Sequence, residues 1–207
     1  MIKTILFDMG GVVITLDQKQ AIKRFKALGL HDAEQRLDAY TQQGIFGDLE
    51  AGKISDEDFR RELGLLVGRE LTWDECRHAW MGYCGGVPQR NLDKMAELRK
   101  RGYRVVLLSN TNPYMMSWVM SDEFDGKGHS LAHYLDEAYM SYKCGAMKPD
   151  PIFFNAVIKG EKLVPEETLF IDDGPRNIEA AKALGIQTLL VNNGEDWTNI
   201  IEEKLSI

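Results

Sequence analysis

The chain has 207 residues, 44% of them hydrophobic, with 25 basic and 32 acidic side chains and a net charge of −7. That length suits one large domain, or a core carrying a smaller insertion. The acidic balance argues against a general nucleic-acid surface, and no run approaches the ~18 apolar residues of a membrane span.

Met1-Ile2-Lys3-Thr4 leads straight into apolar sequence, with no long hydrophobic segment and no small-residue cleavage site. No secretory signal is therefore expected. Cys76, Cys84 and Cys144 show neither CxxC spacing nor a framework, which points to a reducing, cytoplasmic setting.

Ile5-Leu6-Phe7 predicts a buried strand over residues 4–9, closed by Asp8 and the pair Gly10-Gly11. Val12-Val13-Ile14 reads as a second extended piece. From Gln18 to Leu28, the residues Ala21, Ile22, Phe25 and Leu28 recur at helical spacing, and Gly29 stops the helix. Another helix is expected over Ala33 to Gln42, and Gly44-Ile45-Phe46-Gly47 reads as a break with an apolar tip. Ser55-Asp56-Glu57-Asp58 opens a helix to about Val67. Thr72-Trp73-Asp74-Glu75 matches the capping box of a helix reaching about Tyr83. No strand is expected between residues 16 and 87.

Gly85-Gly86-Val87-Pro88 signals a chain reversal or hinge. Beyond it, strands and helices alternate. A helix over Pro88 to Arg101 precedes the strand Arg104 to Leu108, which ends at Ser109-Asn110-Thr111-Asn112. The cations Arg99-Lys100-Arg101 complement the end of that helix. A helix over Pro113 to Met120 and a polar loop over 121–130 follow. A strand at Leu135 to Ser141, a helix at Pro149 to Ile158 and a strand at Leu169 to Ile171 come next, the last ending in Asp172-Asp173. A helix from Gly174-Pro175 to Gly185, a strand at Gln187 to Val191 and a terminal helix from near Asp196 complete the chain. Such alternation implies a parallel sheet with helices on both faces. Residues 16–87 then form an inserted all-helical domain, with a double hinge near Thr15–Asp17 and Gly85–Pro88.

Three strands end in polar residues: Asp8, Ser109 and Asp172-Asp173. In a parallel sheet these ends share one edge, where ligands bind in open α/β folds. Taken singly, Ser109 is a strand-end cap, Lys148 a surface cation and Asp172-Asp173 a helix cap pair. Taken together they suit phosphoryl transfer. Carboxylates supply the hard oxygen ligands that Mg²⁺ prefers. Lys148, before Pro149, offsets negative charge. A serine hydroxyl and backbone N–H groups hold phosphoryl oxygens, and Asp8 offers a nucleophile.

The set resembles the haloacid dehalogenase (HAD) superfamily, whose four motifs occur in this order. Phe7-Asp8-Met9-Gly10-Gly11-Val12 is similar to the first, Leu108-Ser109-Asn110 to the second, Lys148-Pro149 to the third and Phe170-Ile171-Asp172-Asp173 to the fourth. Within the superfamily, Leu98-Arg99 through Asn112 and Gly52-Lys53-Ile54-Ser55-Asp56 look most like bacterial phosphatases acting on α-D-glucose 1-phosphate. The resemblance implies a Rossmann-like core of residues 1–15 and 88–207, with a helical cap of 16–87. It implies that Asp8 forms an aspartyl-phosphate, with Lys148 positioning it against phosphate. Ser109 and the Asn110 N–H would bind phosphate. Asp8, the Gly10 carbonyl and Asp173 would hold Mg²⁺, with Asp172 supporting the metal directly or through water.

One position departs from the family pattern. Most phosphatases of this family carry an aspartate two residues after the nucleophile, as general acid and base, and here that residue is Gly10. Loss of such help costs roughly 10²–10⁴-fold. A sugar 1-phosphate, with its more acidic leaving group, would tolerate the loss. A cap residue such as Tyr40, His78 or Tyr83 would be another source of the proton. Two other readings are a dehalogenase, in which halide leaves unprotonated, and a weakly catalytic protein that binds a phosphorylated metabolite or a partner. The Asp172-Asp173 pair favours the phosphatase. Phe46, between glycines, is expected to close over a sugar. The expected partner is a small phosphorylated metabolite, with no nucleic acid, membrane or protein partner.

Overall fold

The computed structural model describes residues 1–38 and 42–206. Its centre is a five-stranded parallel sheet built from β1 (Thr4–Phe7), β4 (Arg104–Ser109), β5 (Glu137–Met140), β6 (Thr168–Asp172) and β7 (Gln187–Leu190). The order is β5-β4-β1-β6-β7, so β1 lies in the middle and the chain departs to either side of it. Two short strands, β2 (Thr15–Leu16) and β3 (Cys84–Gly86), form a separate antiparallel ribbon.

Alternate side chains of the sheet feed two cores. Ile5, Phe7, Val105, Leu107, Leu169 and Ile171 pack with Leu92, Met95 and Leu98 of α6 (Gln89–Lys100) and Ile201 of α11 (Ile200–Leu205). Leu6, Val106, Leu108 and Phe170 pack on the other face. There they meet Phe153 and Phe154 of α9 (Pro151–Glu161) and Ile178 of α10 (Pro175–Ala183). Burial on both faces explains why these strands read as continuous apolar runs.

Between β2 and β3 the chain is helical: α1 (Gln18–Leu28), α2 (Ala33–Arg36), α3 (Ile45–Glu50), α4 (Asp56–Val67) and α5 (Trp73–Trp80). Capping boxes at Ser55/Asp58 and Thr72/Glu75 start α4 and α5, each such cap contributing about 0.5–2 kcal/mol. Phe25, Phe46, Phe59 and Trp80 form the aromatic centre of this block, with ring centroids 5.2–5.8 Å apart. The cluster runs on to Tyr114 of α7 (Pro113–Val119), 5.8 Å from Phe59. A short helix, α8 (Ser141–Cys144), follows β5. No helix among the described residues is long and apolar enough to cross a membrane.

Several expectations need correction. Val12, Val13 and Ile14 are buried in a turn, because Val13 and Ile14 both donate their N–H to the Met9 carbonyl. Strands do occur at 15–16 and 84–86: the two junctions pair with each other, Thr15 opposite Gly86 and Leu16 opposite Cys84. The helix expected to Gln42 stops at Arg36, with Leu37 extended at φ −106°, ψ 120°. The terminal helix begins at Ile200 rather than near Asp196, whose side chain instead accepts from the Thr198 N–H.

Candidate active site

Strand register brings the site together. Phe7 pairs with Leu107 on one side and Ile171 on the other, so Asp8 emerges beside Asp172. The Asp8 N–H still donates to the Ile171 carbonyl, at 2.9 Å. Its Oδ1 accepts from the Met9 N–H at 2.7 Å and lies 2.8 Å from Lys148 Nζ.

Lys148 reaches this edge from outside the sheet. Asn110, just past β4, holds it from both sides: the Lys148 N–H donates to Asn110 Oδ1 at 2.8 Å, and Asn110 Nδ2 donates to the Lys148 carbonyl at 2.9 Å. The ammonium group donates to Asp172 Oδ2 at 2.7 Å. Asp172 Oδ1 accepts from the Gly174 N–H and from Asn177 Nδ2. Both Asp172 oxygens are therefore engaged by protein donors, whereas Asp173 Oδ2 is buried with no partner.

Asp8, Asp172 and Asp173 place carboxylate oxygens within 4.8 Å of one another. One ammonium group faces three carboxylates, leaving two negative charges unbalanced. Burial pushes the Asp8 and Asp173 carboxyls above their ordinary range, against the pull of Lys148. Burial alone would push Lys148 down, but Asp172 and Asp8 carry it above the usual lysine value. The excess charge and the unpaired Asp173 oxygen fit a divalent cation with oxygen ligands.

The two glycines differ. Gly11 has φ 77°, and a Cβ there would overlap the Asp173 carboxylate, so only glycine fits. A Cβ on Gly10 would meet the end of the Leu16 side chain at 3.1 Å, with no left-handed backbone to resist it. The glycine at position 10 is thus not imposed by the backbone.

A cavity opens above this edge. Asp8, Lys148 and Asp173 line it at the sheet edge, and Gln42, Glu50, Trp80 and Tyr83 line it from the helical block. Among the described residues, five buried side-chain polar atoms lack a partner, and four of them belong to residues lining this cavity. They are Trp80 Nε1, Thr111 Oγ1, Asn112 Nδ2 and Asp173 Oδ2, so the cavity is shaped for a polar ligand.

The other expected residues fall as follows. Asn110 lines the cavity. Ser109 is buried at the end of β4, its hydroxyl 3.4 Å from the Asn110 carbonyl, and it is not part of the cavity wall. Phe46 is not at a loop tip: it lies in α3, fully buried in the aromatic cluster, and does not line the cavity. That expectation is corrected, because the apolar contacts of Phe25, Phe59 and Trp80 take up its ring. His78 is exposed and away from the cavity, Tyr83 lines it, and Tyr40 lies outside the described residues.

Glu50, Gln42, Thr111 and Asn112 were not anticipated. For Glu50 a signal existed: it follows Phe46 by four positions and so shares the buried face of a helix with it.

The sequence profile of haloacid dehalogenase-like hydrolases matches residues 2–185. The chain belongs to that family. It is 50% identical over 197 residues to a D-ribitol-5-phosphate phosphatase of Bacteroides thetaiotaomicron, covering 95% of each chain. A HAD-like hydrolase structure from Porphyromonas gingivalis superposes with a TM-score of 0.95 at 42% identity, covering 100% of this chain and 99% of that one. A variant of a HAD-family enzyme from Bacteroides thetaiotaomicron, in complex with magnesium and inorganic phosphate, superposes with a TM-score of 0.91 at 34% identity, over 97% and 99% of the two chains.

Proposed function

We propose that this HAD-like hydrolase is a Mg²⁺-dependent phosphatase of small sugar or polyol phosphates, acting through an aspartyl-phosphate on Asp8. The observation that carries this reading is the Asp8–Lys148–Asp172 array, in which Lys148 and Asp172 are buried, with Asp173 Oδ2 unpaired beside it. In this reading residues 1–15 and 88–207 are the catalytic core and residues 16–87 the cap that selects substrate.

Asp8 attacks phosphorus, the ester P–O bond breaks, and water then releases phosphate from the aspartyl group. Lys148 holds Asp8 through Oδ1, and Asp172 holds Lys148. The Asn110 backbone N–H and the Thr111 hydroxyl, both on the cavity wall, form the phosphate cradle, with Ser109 buried behind them at the end of β4. Asp8, Asp173 and the Gly10 carbonyl would hold the metal, with Asp172 behind them. Bound Mg²⁺ supplies positive charge to the phosphoryl oxygens.

The substrate reading shifts from that of the motif resemblance. The relative that shares half of its aligned residues is named for a pentitol 5-phosphate, the ester of a primary alcohol, rather than for a hexose 1-phosphate. We assign this chain the same class. The test is a panel of ribitol 5-phosphate, glucose 1-phosphate, para-nitrophenyl phosphate and a 2-haloacid, with and without EDTA. Phosphate release that EDTA and Asp8→Asn both abolish, fastest on the pentitol ester, is expected. Halide release indifferent to EDTA would overturn the reading.

A further inference from the structure

A primary alkoxide is a poor leaving group, yet position 10 offers no acid to protonate it. We propose that Glu50 is the general acid and base of this site, reaching the leaving-group oxygen from the helical wall of the cavity. The assignment rests on the phosphatase reading above.

Position is the first argument. Asp8 lines the cavity from the edge of the sheet, and Glu50 lines it from α3 of the helical block. In-line displacement puts the leaving oxygen on the side of phosphorus away from the nucleophile. With Asp8 on the sheet edge, an ester held in the cavity turns its leaving oxygen toward the residues that the helical block supplies, Gln42, Glu50, Trp80 and Tyr83.

Environment is the second. Glu50 is 9% exposed, on the same helix face as the core residues Phe46 and Leu49. Among the described residues no cation pairs with it. A buried, unpaired carboxylate costs stability, so packing alone does not account for it. Burial raises its pKa to about 7, and the Asn112 amide nearby offsets this only in part. The Asn112 nitrogen closes no hydrogen bond of its own with standard geometry. A carboxyl poised near neutrality exists in both the acid and the base form. The other ionisable groups on the cavity wall are Asp8, Asp173, Lys148 and Tyr83.

The alternatives are weaker. The Tyr83 hydroxyl sits 3.1 Å from the Asp38 carbonyl and 3.2 Å from Gln42 Oε1, and burial pushes its pKa far up. His78 does not reach the cavity.

Protons and bonds balance through Glu50. In the first step an Asp8 oxygen bonds to phosphorus, the ester P–O bond breaks, and the Glu50 carboxylic acid gives its proton to the departing alkoxide. In the second, the Glu50 carboxylate takes a proton from water as that water bonds to phosphorus. The bond between phosphorus and the Asp8 oxygen breaks, Asp8 regains its carboxylate, and Glu50 is again an acid.

The test compares two esters with the Mg²⁺-loaded enzyme and its Glu50→Gln variant. Ribitol 5-phosphate needs its leaving group protonated, whereas para-nitrophenolate leaves unaided. The quantity read is kcat/KM, which covers steps up to departure of the alcohol. In Glu50→Gln the ratio of kcat/KM for the alkyl ester to that for the aryl ester should fall by about 10²-fold or more. A burst of para-nitrophenol should also appear, because loss of the base slows release of the phosphoenzyme. Aryl ester turnover and an unaltered circular dichroism spectrum check that the variant folds. Equal loss on both esters, or a change confined to KM on the pentitol ester, would overturn the assignment. Absence of phosphate release by the unaltered enzyme would instead remove the phosphatase reading, and this assignment with it, before any substitution is made.

Discussion

Lys148 Nζ lies 2.8 Å from Asp8 Oδ1, with the lysine side chain 1% exposed. An ammonium group this deep has lost its water, and the two carboxylates it bridges take the place of that water. The pair therefore belongs to the fold as well as to the chemistry.

Lys148→Met keeps the volume and removes the charge. It leaves Asp8 and Asp172 buried without their cation, which should cost about 3–5 kcal/mol of stability. Lys148 is what pulls the Asp8 carboxyl down against burial, so without it that carboxyl rises further, and its protonation relieves the strain. The loss should be larger at pH 8 than at pH 5. Urea unfolding at the two pH values measures it, and phosphatase turnover should be lost at both.

Gly11→Ala puts a methyl group into the Asp173 carboxylate and forces a left-handed φ on alanine. Asp173 has to move, and with it the proposed metal position. Calorimetric titration with Mg²⁺ should show weaker binding, with KM for Mg²⁺ raised at least in parallel. Gly10→Ala, which needs only a small shift of Leu16, is the control and should bind Mg²⁺ far better than Gly11→Ala.

Phe46→Ala separates core from cavity. The ring touches Phe25, Phe59 and Trp80 and no ligand space. Its loss should cost about 3–5 kcal/mol, as for other buried aromatic truncations. Thermal melting should show the change, while KM for the substrate at a temperature where the variant is folded moves little.

Glu50 has a stability signature of its own. Its carboxyl is raised from an ordinary value of 4.5 to about 7 in the fold, so the neutral form favours folding. Below pH 4.5 there is no penalty. Stability is lost as pH rises toward and through 7, by up to about 3 kcal/mol at 1.36 kcal/mol per pH unit. Glu50→Gln removes that slope. The difference in unfolding free energy between variant and parent, without metal or ligand, should grow in favour of the variant from pH 4.5 to pH 8.

What the sequence reveals follows from how each residue reaches the site. Asp8 and Asp172-Asp173 each end an apolar strand, and a parallel sheet puts such ends on one edge. Lys148 is marked by its proline neighbour and by its place in the motif order. Gln42 carries no such local mark and Glu50 only its helical spacing from Phe46, because packing of the helical block over the sheet brings them to the cavity; Asn112, just past β4, reads as the cap of the next helix. Phe46 misleads because its flanking glycines look like one break with two ends. Gly44, at φ 57°, does precede the helix. Gly47 lies inside it, and is small because a Cβ would run into the Gln42 carbonyl. Both glycines serve packing and helix entry, and neither exposes the ring between them.

The two-way pairing of Asn110 with the Lys148 backbone has an engineering consequence. The lysine is registered to β4 by one side chain across 38 positions, not by the course of the chain between them. Length changes in the polar stretch 121–130 need not propagate to the reacting groups. Phe124 is in the core and Asp125 ties the loop to Tyr134, so its exposed tip, Gly126 to Gly128, is where a reporter domain or an affinity tag can be spliced in while the catalytic edge keeps its alignment.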